Sequence, residues 1–192
     1  MASPNIRLKG KKVILRQISL RDAQRFCRWL ADPEVVNTLA AGDSSVPTLR
    51  AERDWIRQAR REKNKVIFSI DTLDGVHIGS VSLFGINPRH RRAEYGVMIG
   101  DKRYWDQGCG TEAGRLMLGY GFRKLKLHRI YLHLIAYNFR GLRSYQKIGF
   151  RLEGRMRQHL WHHGYWHDRI AMGILGNEFI HTKQQTKKTY GR

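Results

Sequence analysis

Cysteine is nearly absent from this chain, with two in 192 residues, Cys27 and Cys109. Two thiols build neither a disulfide framework nor a thiolate metal set, and such usage fits a reducing, cytoplasmic compartment. No run of 18 or more apolar residues occurs, and no charged-then-apolar leader ends in small residues. Neither a membrane span nor secretion is therefore expected. Acidic residues are also scarce, 16 against 36 lysines and arginines, for a formal charge of +20. A charge of that size attracts polyanions such as RNA, the ribosome or a phosphate-rich small molecule; equally, it describes a solvated basic surface without a site. Part of it sits in the polar, non-periodic segment 181–192, HTKQQTKKTYGR, which reads as a basic disordered tail behind one domain over 1–180.

The apolar residues, 41% of the chain, are patterned and promise a core. VILRQI (13–18) reads as a strand. Ser19 with Asp22 three residues on resembles a capping box, and Ala23, Phe26, Cys27 and Leu30 follow at helical spacing. Pro33 interrupts that element, and AAGDSSVP (40–47) has loop composition. Thr48 can cap a further helix that carries Leu49, Trp55, Ile56 and Ala59 on its apolar side. From Val66 the period changes to two, with a β-hairpin across TLDG, then AEYGVMIG as the next strand. A helix after Gly110, the strand RIYLHLIAY, a short helix in NFRGLRSYQKI and two strands around His163-Gly164 complete the order β, α, α, β, β, β, α, β, α, β, β. No repeat or linker divides the chain, so a single α/β domain is expected.

The segment Tyr104–Phe150 carries the chemistry. It opens with YWDQGCGTEA, where glycines precede a helix. A helix N-terminus leaves about four N–H groups free and favours an anion. Gly108 and Gly110 let a bound group approach the backbone. No G-K-[ST] follows, so the turn is not a P-loop, and the third glycine of a dinucleotide fingerprint is missing. By itself the turn fits a phosphate cradle and an ordinary strand-to-helix connection alike.

YWDQGCGTEA together with NFRGLRSYQKIGF some thirty residues on resembles the GNAT N-acetyltransferases, most closely their RimJ/RimL-like branch, which includes the spermidine acetyltransferases. The matching motifs cover 94–150, with weaker similarity over nearly the whole domain. The resemblance implies a mixed, mostly antiparallel twisted sheet with helices on both faces, acetyl-CoA as acetyl donor, and direct acyl transfer to an amine. Carried over by position, the family's pyrophosphate loop falls on Trp105, Asp106, Gln107, Gly108, Cys109 and Gly110, with Thr111 following on the first turn. Trp105 replaces the family's leading Gln or Arg, leaving the backbone as the cradle. The preceding strand, Val97, Met98 and Ile99, corresponds to the one whose backbone bonds the pantetheine arm, and Asn138 to the asparagine that contacts the cofactor. Gly141 stands where Ala or Ser is usual, a change that loosens a helix by about 1 kcal/mol relative to Ala.

An amine with a pKa near 10 is protonated at neutral pH and cannot attack a thioester. The site needs a proton acceptor, a polarised carbonyl and an acid for the leaving thiolate. Tyr145 matches the family tyrosine whose phenol lies near the thioester sulfur; its other reading is a core aromatic. Glu94 is the candidate base, through a water, on the same strand face as Met98, or else a strand-end carboxylate paired with Arg91, Arg92 or Arg129. The carbonyl would be polarised by a backbone N–H at Met98 or Ile99. A helix N-terminus could lower the Cys109 thiol toward an acyl-enzyme role, but no histidine adjoins it in sequence. His159, His162, His163 and His167 match no zinc spacing, and no metal is expected. Trp161, Tyr165 and Trp166 could line an acceptor groove or pack a hairpin.

The expected partner is an amine, as a small molecule or a protein N-terminus, with ribosome or RNA association and a homodimer left open. A polyamine such as spermidine is the alternative acceptor, although a polycation suits so basic a protein poorly. A rival from another class is a basic nucleic-acid- or ribosome-binding module without turnover.

Overall fold

A computed structural model describes residues 6–39 and 46–179. Most of the loop expected over 40–47, and the tail expected over 181–192, lie outside the described residues. Eight strands form one sheet: β1 (Arg7–Lys9), β2 (Val13–Gln17), β3 (Val66–Thr72), β4 (His77–Asn87), β5 (Arg92–Ile99), β6 (Arg129–Ile135), β7 (Arg151–His162) and β8 (Tyr165–Leu175). Their spatial order is β1-β2-β3-β4-β5-β6-β8-β7. Every neighbouring pair is antiparallel except β5–β6. The helices are α1 (Ala23–Leu30), α2 (Pro33–Val36), α3 (Leu49–Ala59), α4 (Cys109–Arg123) and α5 (Phe139–Ile148).

Alternation along the strands divides the core in two. Val13, Leu15, Ile70, Leu83, Tyr95, Ile130 and Met172 turn to one face, where Ala113, Met117 and Leu118 of α4 and Ile148 of α5 cover them. Ile67 and Met98 point to the other face, against Ile18, Phe26 of α1 and Ile56 of α3. Helices therefore cover both faces.

Three local expectations change. Arg7–Lys9, outside the elements expected from sequence, pairs antiparallel with β2, Arg7 opposite Arg16 and Lys9 opposite Ile14, and forms the edge strand β1. Ser19 starts a 3-10 turn (Leu20–Asp22) rather than α1 itself. Its N–H donates to Asp22 at 2.9 Å, and the same carboxylate accepts two bonds from Arg16 and one from the Ser69 hydroxyl. Asp22 is thus a buried joint between β2, β3 and α1 as well as a cap. On α3, Thr48 caps as expected, accepting from Ala51 N–H. Trp55 and Leu49 nevertheless stay largely exposed, and Ile56, Ala59 and Glu52 form the buried side. Sequence spacing set the helix period correctly but rotated its inner face.

Candidate active site

The one parallel pair among the described residues opens the sheet. β5 and β6 are in register over Arg92↔Arg129, Ala93↔Ile130 and Glu94↔Tyr131, and there the pairing stops. β5 continues along β4 as far as Ile99↔Gly79, while β6 continues along β8 as far as Ile135↔Arg169. The strands therefore diverge after Glu94. The β5 edge from Tyr95 onward faces a gap, with its backbone polar groups turned toward whatever fills it.

The glycine turn stands at the wide end of that gap. Asp106 adopts φ 57° and Gly108 φ 80°, and Gly108 occupies the N-cap of α4. The first intrahelical bond runs from Glu112 N–H to Gly108 C=O at 3.0 Å, leaving the N–H groups of Cys109, Gly110 and Thr111 without helical acceptors. Glu112 fixes this turn from below. Its carboxylate accepts from the backbone N–H groups of Lys11, Lys12 and Val13 at 2.9, 2.6 and 2.9 Å, and the Lys12 ammonium donates to Gln107 C=O at 2.7 Å.

A second helix start faces the first. Asn138 caps α5, its Oδ1 accepting from Gly141 N–H at 2.8 Å, while its Nδ2 donates to Thr38 C=O at 2.9 Å. A Cβ at Gly141 would lie 2.9 Å from the Asn138 side chain, so glycine there leaves room for the cap. The helix cost of Gly141 is offset by the bond it permits. Both polar atoms of Asn138 are engaged within the protein, so the structure gives this residue a scaffolding task beside any cofactor contact.

One cavity is bounded by both helix starts and the β5 edge. Val97, Met98, Ile99, Trp105, Asp106, Gly108, Cys109, Gly110, Thr111, Asn138 and Tyr145 all line it. Gln107 does not; its side chain turns back to Arg103 C=O. Trp105 is held by its indole N–H, which donates to Ile99 C=O at 2.6 Å. Sequence reading missed the cations. Arg140, Arg143 and Lys147 line the same cavity, and Ser144 there bonds Thr111 at 2.9 Å. The signal was present: Arg140, Ser144 and Lys147 recur at one-turn spacing on the inner side of α5. Free N–H groups, close-approach glycines and three cations together fit a pyrophosphate with a further phosphate.

Tyr145 lies at the other end, 8% exposed, packed edge-on to Tyr95 and Phe150 with ring centroids 6.0 Å from each. Burial pushes its phenol up to about 12. The hydroxyl is therefore a proton-bearing donor throughout the neutral range. Burial also raises the Cys109 thiol, outweighing the Lys12 charge that lowers it. The acyl-enzyme role that the helix N-terminus offered Cys109, already disfavoured in the sequence, gains nothing from this environment.

Glu94 sits outside the cavity lining, at the point where the gap begins. It shares the face of Met98, as the two-residue period required, with no irregularity between them along β4. Its partner is none of the three arginines considered. Glu94 Oε1 lies 2.9 Å from His133 Nδ1, while Arg129 pairs with Glu153. On the β7–β8 hairpin, His162 meets the Tyr137 hydroxyl at 2.6 Å and His163 meets Asn37 at 2.7 Å. No cluster able to hold a metal occurs among the described residues. Trp161, Tyr165 and Trp166 are exposed on that hairpin and do not line the cavity.

A family model described as the acetyltransferase (GNAT) domain matches residues 12–151. The spermidine N(1)-acetyltransferase of Escherichia coli strain K12 is 34% identical over 107 residues, which cover 56% of this chain and 57% of that enzyme. The chain thus spans little more than half the length of that relative. The probable N-acetyltransferase YjcK of Bacillus subtilis strain 168 is 33% identical over 177 residues, 88% of this chain and 96% of the other. Among solved structures, the Vibrio cholerae spermidine N-acetyltransferase in complex with CoA and spermine matches with a TM-score of 0.82 at 22% identity. It covers 89% of this chain and 99% of that one, and at such identity the likeness speaks for the fold.

Proposed function

The chain belongs to the GNAT acetyltransferase family, and on that premise we propose that this cavity holds acetyl-CoA and transfers its acetyl group to a primary amine. The observation that carries the reading is the convergence of the free α4 N-terminus, the unpaired β5 edge and the Tyr145 phenol on one cavity. The pyrophosphate is assigned to the N–H groups of Cys109, Gly110 and Thr111, with Arg140, Arg143 and Lys147 balancing charge. The pantetheine arm is assigned to the edge of Val97, Met98 and Ile99, where it adds hydrogen bonds that β6 does not supply. Acetyl-CoA brings a thioester carbonyl already activated toward an amine.

The chain's own groups then divide the proton work. Glu94 supplies the carboxylate of the proton-accepting end, at the narrow start of the gap. Tyr145 faces the leaving sulfur. Burial raises the Tyr145 phenol, so it still carries its proton when charge develops on the leaving sulfur. Its contribution is a hydrogen bond that steadies developing negative charge on sulfur, and the proton that ends on the thiol derives from the amine.

For the acceptor, the +20 charge weighs against a polycation and favours an acidic or ribosome-bound amine. The second reading is a polyamine, favoured by the 34% identity to a spermidine acetyltransferase. Titration calorimetry with acetyl-CoA, then CoA release with spermidine, glucosamine and peptides of acidic or neutral first residue, tests both levels. Saturable acetyl-CoA binding and release with one of these amines are expected. Absence of acetyl-CoA binding, with RNA binding that falls steeply with salt, would favour the module without turnover and overturn the proposal.

A further inference from the structure

The gap between β5 and β6 carries a second titratable group at its narrow end. His133 stands on β6 two residues past the last pair, Glu94↔Tyr131, which sets it level with Gly96 across the opening. Its Nδ1 lies 2.9 Å from Glu94 Oε1. Its side chain is 23% exposed and that of Glu94 21%, so solvent reaches the pair without flooding it. The residues beside it on β8 are small, since His133 pairs with Ala171 and Tyr131 with Gly173. The Tyr131 ring braces the imidazole edge-on at 5.8 Å. The Glu153 and Arg129 side chains close over Gly173, and these surroundings together fix the ring.

We propose that His133 takes the proton from the acceptor ammonium and that Glu94 is the positioning residue that orients it. The inference rests on the acetyl-transfer reading. An imidazole that donates Nδ1–H to a carboxylate presents Nε2 as its accepting nitrogen. The carboxylate then stabilises the imidazolium as it forms. Chemistry favours the imidazole over the carboxylate as the acceptor. A carboxylic acid is about six pKa units more acidic than an ammonium and an imidazolium only about four, and a base works best near the working pH.

The step balances. The ammonium N–H bond breaks, an Nε2–H bond forms, and the freed nitrogen pair attacks the thioester carbonyl. The C–N bond forms and the C–S bond breaks, a second proton from the nitrogen ends on the CoA sulfur, and the imidazolium returns its proton to solvent. The charged and titratable groups sharing this face are Arg92 and Glu94 from β5, Arg129 and Tyr131 from β6, Arg151 and Glu153 from β7 and Arg169 from β8; Arg151 is held by Glu178. Arg129 is committed to Glu153 and lies over Tyr131, which leaves Glu94 as the carboxylate directed at the ring.

His133→Asn keeps a donor for Glu94 but has no second ring nitrogen. With whichever of spermidine, glucosamine or the acidic and neutral peptides wild type acetylates best, H133N is expected to lose about 30-fold or more in kcat, in line with loss of a general base. Acetyl-CoA affinity by calorimetry and the melting temperature should stay at wild-type values, and the acid limb of kcat/KM should move. Ring ¹⁵N spectra of wild type should show the Nδ1-protonated tautomer, and Glu94→Gln should abolish that preference. Should H133N fail to fold, His133→Gln serves the same comparison. Wild-type kcat and an unmoved acid limb in the folded variant, or an Nε2-protonated ring in wild type, would overturn the assignment alone. Failure of wild type to bind acetyl-CoA would instead remove the acetyl-transfer reading on which it rests.

Discussion

The Arg140 guanidinium lies over the Trp105 indole, 3.9 Å from the ring centroid, and its Nε is 3.3 Å from Asp106. Trp105 is itself anchored to Ile99 C=O. The loop residue that lacks the family's usual polar side chain thus carries a cation from α5 in its place. A charge that the loop sequence omits is restored from 35 residues away by packing, since a flat indole is a good support for a planar cation.

Arg140→Ala should therefore weaken acetyl-CoA binding about tenfold, corresponding to about 1.4 kcal/mol, with little change in melting temperature. Calorimetry checks the affinity. Undiminished binding would mean that Arg140 only shields the indole.

Tyr145→Phe removes one oxygen and keeps the ring against Tyr95 and Phe150. Turnover should fall about 100-fold while acetyl-CoA affinity persists. Because burial pushes the phenol up to about 12, wild type should show no loss of this donor as pH rises through the ordinary tyrosine range. An equal kcat in the variant would remove Tyr145 from the chemistry.

Glu112→Gln takes the charge from three backbone N–H bonds that join α4 to the β1–β2 connection. Charge-assisted bonds of this kind each contribute about 1.5–3 kcal/mol, and the amide oxygen retains part of them, so a loss of about 2 kcal/mol is expected. Urea denaturation measures it. Acetyl-CoA affinity should fall as well, because the same carboxylate steadies the cradle turn.

Acid should weaken the fold through Asp22 and His77, which lie 3.4 Å apart. Burial would push the Asp22 carboxyl up, but Arg16, the His77 charge, Ser19 and Ser69 together hold it down at about 2. Burial lowers the His77 imidazole below its ordinary value despite the attraction of Asp22. Both bind protons less readily when folded, so stability rises with pH wherever the unfolded chain holds the extra proton. The His77 contribution is complete above about 6.5 and lost as pH falls from there through its lower folded value. That of Asp22 is complete above about 3.9 and lost as pH falls through its folded value. Urea midpoints from pH 8 to 3 should decline below about 6.5, and His77→Gln should flatten the first part of the decline. An identical slope in the variant rules His77 out.

Local chemistry made much of this protein legible without coordinates. The two-residue period placed Glu94 and Met98 on one strand face, and Thr48 could be read as a helix cap because its partner Ala51 is three residues away. Gly108 and Gly110 marked a helix start with free N–H groups for the same reason: a turn and the first helical residues are adjacent in chain. Where the determining partner is remote, the reading failed. Asp22 looked like a simple cap because Arg16 and Ser69 reach it only after β2 and β3 align. Trp55 looked buried because spacing gives a period and leaves the inward direction to the sheet.

The sequence by itself determined the element order apart from the edge strand β1 and the short α2, the α/β class, the glycine cradle and the family likeness, all written in residues close enough to act on one another before folding. Only the tertiary structure decided where the sheet opens. The gap exists because β6 leaves β5 after Tyr131 and keeps β8 as its partner, a choice among strands up to 83 residues apart. That divergence leaves Val97–Ile99 as a backbone edge that β6 does not pair, with the Ile99 C=O taken by Trp105. It also brings His133 to Glu94 across 39 residues and sets Arg140 over Trp105. Those contacts depend on which strands pair and where pairing ends, and no local period encodes that.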